Sequence, residues 1–120
     1  MGNYKLTDIE ERFAQLIWDN EPIASPDLVK LCEKEMQWKK STTYTVLKKL
    51  CNRGIFVNND TIVTSKMSKQ EFYGNQSRKY VEDVFGGSLP RFLTAFCAGK
   101  KLSKDEIAEM RRLIDECEEK

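Results

Sequence analysis

At Gly54 the hydrophobic period of this chain switches from helical to extended, and the residues on either side leave little choice of architecture. Upstream, Thr43, Val46, Leu47 and Leu50 recur at i, i+3, i+4 and i+7, the spacing of one apolar helix face. Downstream, Ile55, Phe56 and Val57 read as a strand, Asn58, Asn59 and Asp60 as a polar turn, and Thr61 to Thr64 as a returning strand rich in β-branched residues. Gly54 itself suits the left-handed position that stops a helix. A helix from about Lys40 to Arg53 therefore runs directly into a short β-hairpin.

Two helices precede it. Thr7 and Glu10 form a T-x-x-E capping box, in which each side chain satisfies the other residue's free backbone N–H. Leu6 staples against the first turn. Ile9, Phe13, Leu16 and Ile17 make the inward stripe of a helix from Thr7 to about Asp19, and Asn20, Glu21 and Pro22 end it. Ser25-Pro26 opens the second helix, with serine as the cap and proline in the first turn. Leu28, Val29, Leu31 and Cys32 face inward, and the helix ends near Glu35, before Trp38 anchors the core ahead of the third helix. Three helices and a hairpin predict a winged helix-turn-helix over residues 1–66, with the second and third helices as the helix-turn-helix and the hairpin as the wing.

Residues 67–120 are helical again. Ser68 with Glu71 caps a helix through Phe72, Tyr73, Tyr80, Val81 and Val84 to Phe85, and Gly86-Gly87 breaks it. Leu89, Phe92, Leu93, Phe96 and Cys97 follow at helical spacing up to Gly99. A third capping box, Ser103 with Glu106, leads into Ile107, Met110, Leu113, Ile114 and Cys117. A chain of 120 residues has little core to spare, so these helices cannot cover their own apolar faces. The same helices of a second copy would cover them. The expected fold class is mostly α: a winged helix-turn-helix domain followed by a three-helix dimerisation region that pairs through Phe92, Leu93, Phe96, Ile107, Met110, Leu113 and Ile114. Folding back onto the N-terminal domain is the alternative.

The composition excludes several functions. There is no histidine, which removes Ser-His and Cys-His nucleophilic catalysis. Cys32, Cys51, Cys97 and Cys117 are widely separated, form no CxxC pair, and read as small hydrophobes in a reducing cytoplasm. No enzyme, metal site or cofactor is expected. No apolar run approaches the roughly 20 residues that span a bilayer, and MGNYKLTDIEERF lacks a signal-peptide core, so a cytoplasmic location without membrane insertion is expected.

What remains is the outer face of the third helix. Ser41, Thr45, Lys48, Lys49 and Asn52 stand opposite its apolar stripe, with Thr42 and Tyr44 at the flanks. From Met36 to Asn59 there are five basic residues, Lys39, Lys40, Lys48, Lys49 and Arg53, and no Asp or Glu, in a chain whose net charge is only +1. Small side chains let a backbone approach a major groove, hydroxyls reach base edges, and lysines anchor phosphates. An ordinary solvated helix has the same composition. Two other readings share it: an interaction module docking an acidic partner, and a small-molecule-responsive regulator with Tyr73 and Tyr80 in a pocket of the dimer. From Ser103 to Lys120, seven acidic residues face four basic ones, so that end should point away from nucleic acid.

With these residues in view, the chain resembles the penicillinase-repressor family, which includes the methicillin-resistance repressor and copper-responsive relatives. The resemblance runs from about Leu6 to Leu113. It is carried by LTDIEERFAQLIW (Leu6–Trp18), W-x-x-S-T-T-Y-T-V-L-K-K-L-x-x-R-G (Trp38–Gly54), and GSLPRFLTAF followed by LSKDEI (Gly87–Phe96 and Leu102–Ile107). It implies a homodimeric winged-helix repressor on a palindromic double-stranded DNA operator with TACA and TGTA half-sites. By position it implies DNA contact at Ser41, Thr42, Thr45 and Lys48, with Lys40 and Lys49 as phosphate anchors; the hairpin reading adds Asn58 and Asn59 at the wing tip. β-Lactam-responsive members are released by cleavage of an Asn-Phe bond, through a membrane-bound metalloprotease sensor. This chain has Ala95-Phe96 there, so the phenylalanine is kept and the asparagine is not. Copper-responsive members end in a cysteine-rich metal-binding tail, whereas this chain ends in ECEEK.

Overall fold

Capping chemistry sets where the first helix begins. In the computed structural model, which describes residues 4–118, α1 (Asp8–Asn20) starts after Thr7. The Thr7 hydroxyl accepts from the Glu10 amide at 3.2 Å, and the Thr7 amide donates to Glu10 Oε1 at 2.9 Å. Then follow β1 (Ile23–Ala24), α2 (Ser25–Met36), α3 (Lys40–Asn52), β2 (Phe56–Asn59), β3 (Ile62–Ser65), α4 (Lys69–Phe85), α5 (Leu89–Cys97) and α6 (Lys104–Glu116). Glu119 and Lys120 of the acidic tail, and the first three residues of the 1–66 segment, lie outside the described residues. Contacts divide the chain into two compact units, with the division between Arg78 and Lys79.

In the first unit, α1, α2 and α3 surround a core of Phe13, Ile17, Leu28, Leu47, Leu50, Ile55, Phe56, Val63 and Phe72, all buried. Burying each large apolar side chain contributes about 1.5–3 kcal/mol, so these nine dominate the unit's stability. Trp18 closes one end: its ring lies 5.4 Å from Phe56 and 5.9 Å from Phe72, and its indole N–H donates to the Met67 carbonyl at 3.1 Å. Trp38 packs on Phe13 at 5.3 Å, as its place before α3 predicts. Gly54 is left-handed (φ 82°), and Ser68 and Glu71 exchange their capping bonds at the start of α4. The architecture is a winged helix-turn-helix with a helical C-terminal region.

Four local readings need correction. Ile9 is 54% exposed, and the buried position of the first turn is Glu10. Ser25 is the first residue of α2 rather than its cap: the cap position is Ala24, and the buried Ser25 hydroxyl accepts from Tyr44 Oη at 3.2 Å. A strand absent from the sequence reading, β1, pairs antiparallel with β3 (Ile23 with Val63, Ala24 with Ile62), giving a three-stranded sheet in the order β1-β3-β2. It occupies the edge of β3 that β2 leaves free. The hairpin tip is Asp60-Thr61, not Asn58-Asn59-Asp60: Asn59 pairs with Ile62 and Asn58 with Val63, so both asparagines end strand β2.

The tip has a testable cost. Asp60 and Thr61 have φ of 50° and 66°, the two positive values of a type I′ turn. Aspartate tolerates that region, but a β-branched residue there is strained. Thr61→Gly should therefore stabilise the fold by about 1 kcal/mol in urea denaturation, since relief of the left-handed penalty of about 1–2 kcal/mol outweighs glycine's added chain entropy. A destabilised variant would show that the threonine side chain is held by something stronger.

In the second unit, residues from Lys79 onward build an aromatic row. Phe85 and Phe92 are edge to face at 5.5 Å, with Tyr80 at 6.1 Å from Phe85 and Phe96 at 6.2 Å from Phe92. Ser88 caps α5 and the Ser103–Glu106 box caps α6, but neither helix has a buried residue. Cys32 is buried and burial pushes its thiol pKa up, against a smaller lowering effect of the neighbouring Thr43 hydroxyl; Cys117, read as a hydrophobe, is exposed at the end of α6. Among the described residues, no helix is long and apolar enough to cross a membrane.

Candidate nucleic-acid interface

Helix α3 divides into two faces, as its periodicity requires. Thr43, Leu47 and Leu50 are buried, and Val46 is half-buried. Ser41, Thr42, Thr45, Lys48, Lys49 and Asn52 are exposed. Tyr44 ties the helix to α2 through Ser25, and the Thr43 hydroxyl donates back to the Lys39 carbonyl at 3.3 Å within the first turn of α3. The N-terminus of α3 has no side-chain cap and no acidic residue in its first turn. Its first amides thus point outward with the positive end of the helix dipole, an arrangement that attracts phosphate.

The cations of this region divide. Among the described residues, no carboxylate pairs with Lys39, Lys40 or Lys48. Lys49 is different: its Nζ lies 2.7 Å from Glu10 Oε2. Arg53 Nη1 lies 3.8 Å from Glu10 Oε1, and Arg53 Nη2 donates to the Lys5 carbonyl at 2.7 Å. The hydrogen bond from Lys49, and then that from the Thr7 backbone, hold the Glu10 carboxyl below the usual carboxylate range, outweighing the raising effect of burial. Charge counted along the sequence from Met36 to Asn59 missed this acid, which arrives from α1. Its only sequence signal is its place in the capping box.

Asn58 and Asn59 are exposed on β2, beside an exposed tip whose charged residue is Asp60. From Ile55 to Ser65 the hairpin carries no cation, so it offers hydrogen bonds to a nucleic-acid backbone but no charge of the attractive sign. Tyr73 packs against Trp18 and Phe72 in the first unit, and Tyr80 packs against Phe85 and Phe92 in the second. A shallow groove in the second unit is lined by Phe85, Pro90, Arg91, Thr94 and Ala95.

The residues expected to pair two copies lie in the second unit. Leu93, Phe96, Ile107, Leu113 and Ile114 are exposed, while Phe92 and Met110 are half-buried. Both helices that carry them are capped and expose large apolar side chains. Ala95 and Phe96, both exposed, sit in the last turn of α5.

Three helices, a wing completed by β1 and an outward-facing polar third helix define the class: a winged helix-turn-helix regulator. The penicillinase repressor family model matches residues 6–116, and the chain belongs to that family, whose members are transcriptional repressors and not enzymes. The chain is 21% identical over 116 residues to the penicillinase repressor of Bacillus licheniformis, covering 93% of this chain and 91% of the relative. It is 20% identical to the methicillin resistance regulatory protein MecI of Staphylococcus aureus, covering 93% and 94%. The MecI of Mammaliicoccus sciuri matches at 19% over the same shares.

Proposed function

We propose that this repressor acts as a homodimer that places the α3 of each protomer in successive major grooves of a palindromic operator. The observation that carries the reading is the outer face of α3: hydroxyls at Ser41, Thr42 and Thr45 and ammonium groups at Lys40 and Lys48, all exposed and aligned beside an uncapped helix N-terminus. Hydroxyls and Lys48 read base edges, and Lys40 and the first amides hold phosphates. Asn58 and Asn59 add backbone contacts from the wing. The uncovered apolar residues of α5 and α6 support pairing, because a second copy presents the same surface and a two-fold axis matches a palindrome.

Anisotropy titration of a duplex with TACA and TGTA half-sites against its scrambled counterpart tests the reading. Tighter binding of the palindrome, falling steeply with salt, is expected. Equal binding of both duplexes, or none at moderate salt, overturns it and favours an acidic protein partner for the same face. Thr45→Ala should lower the preference for the palindrome by about 1–3 kcal/mol while leaving binding to the scrambled duplex unchanged. Proteolytic release through a membrane-bound metalloprotease sensor is the induction route the resemblance suggests. Ala95 in place of asparagine points to a different bond or a different trigger.

A further inference from the structure

We infer that Glu10 sets the sequence-independent share of DNA affinity, by holding Lys49 in an ion pair on the flank of the recognition face. This rests on the DNA-binding reading above and deepens it. The other described ion pairs that stand apart from Glu10, Lys79–Asp83 and Arg112–Glu116, are i,i+4 pairs open to solvent. Such pairs are worth little and break easily. The Glu10 pair joins two helices, and its two ends are unlike. The carboxylate end is 9% exposed and cannot swing away, because Oε1 accepts the Thr7 amide at 2.9 Å. The ammonium end is 59% exposed, one helical turn beyond Thr45 and next to Lys48. Lys49 thus stands where a phosphate would pass while its charge is matched by a fixed acid. Arg53, with its side chain 18% exposed, leans on the same carboxylate and on the Lys5 carbonyl. The unmatched ammonium groups around α3 are then Lys39, Lys40 and Lys48. Phosphate attraction scales with net local charge, so a cation neutralised in place adds shape to the groove contact and little counterion release.

Glu10→Gln isolates the charge. Glutamine serves at this position of a capping box as glutamate does, so α1 keeps its start. Full-length wild type, Glu10→Gln and Glu10→Gln/Lys49→Gln are titrated with the palindromic and scrambled duplexes between about 50 and 200 mM salt, with a thermal melt of each. The single variant should bind both duplexes more tightly, by roughly five- to tenfold per protomer engaged at low salt. The slope of log K against log salt should steepen by about 0.9 per protomer. The double variant should return to the wild-type slope. An unchanged slope in Glu10→Gln overturns the inference, as does a double variant as steep as the single one. A Glu10→Gln chain that no longer folds also overturns it, because the pair then belongs to the scaffold. Wild type that binds neither duplex removes the DNA-binding reading itself, and this inference with it.

Discussion

Aspartate at both Phe96 and Ile114 is expected to lower operator affinity by about two to four orders of magnitude. In the protomer both side chains are exposed, 49% and 63%, so neither is a core residue, although Phe96→Asp also removes the ring contact with Phe92 at 6.2 Å. On the proposed two-fold pairing they become desolvated. An ionised carboxylate facing an apolar partner surface is costly to bury, and the pairing is lost. Each half-site then meets a separate protomer, and the avidity gained by joining two modules disappears. Sedimentation equilibrium should show a single-chain mass, and the duplex titration should show the weakened binding in the same sample. A variant that keeps twice the chain mass would place the pairing surface elsewhere.

Phe72→Ala carries the largest expected loss of stability, about 3–5 kcal/mol. The ring is fully buried and touches three others: Tyr4 at 5.9 Å, Trp18 at 5.9 Å and Tyr73 at 5.2 Å. Rigid aromatic neighbours cannot collapse into the space, so a cavity remains and the transfer and cavity costs add. Against a typical total of about 5–15 kcal/mol, that loss approaches unfolding at physiological temperature. Urea denaturation followed through the fluorescence of Trp18 and Trp38 measures it. A loss below about 1 kcal/mol would mean that the start of α4 is not part of this core.

The fold was legible where a signal is local and repeated. Capping boxes at Thr7, Ser68 and Ser103 placed three helix starts, and the stripe Thr43, Leu47, Leu50 gave the inward face of α3. The readings that shifted depend on contacts between distant segments. Strand β1 has two residues, too few for any period to show, and exists because β3 has an edge to fill. Asparagines suit turns, which drew the tip toward Asn58-Asn59. The register that keeps both Phe56 and Val63 inside leaves Asp60 and Thr61 as the loop, because a one-residue slip would turn one strand's apolar set outward. At the start of α1, hydropathy favours Ile9 for the interior, whereas the buried residue is Glu10, which has Thr7, Lys49 and Arg53 as partners. The same long-range contact was invisible to charge counting, so the cationic face looked richer along the sequence than it is in space.

The amide of Ser25, the first residue of α2, is one of those a helix leaves without a partner of its own. The Thr61 carbonyl at the hairpin tip accepts it at 2.7 Å. The leading turn of α2 is thus closed from outside by a loop made much later in the chain. When the hairpin frays, that turn is expected to fray with it, so that hydrogen exchange should find the two opening as one cooperative unit.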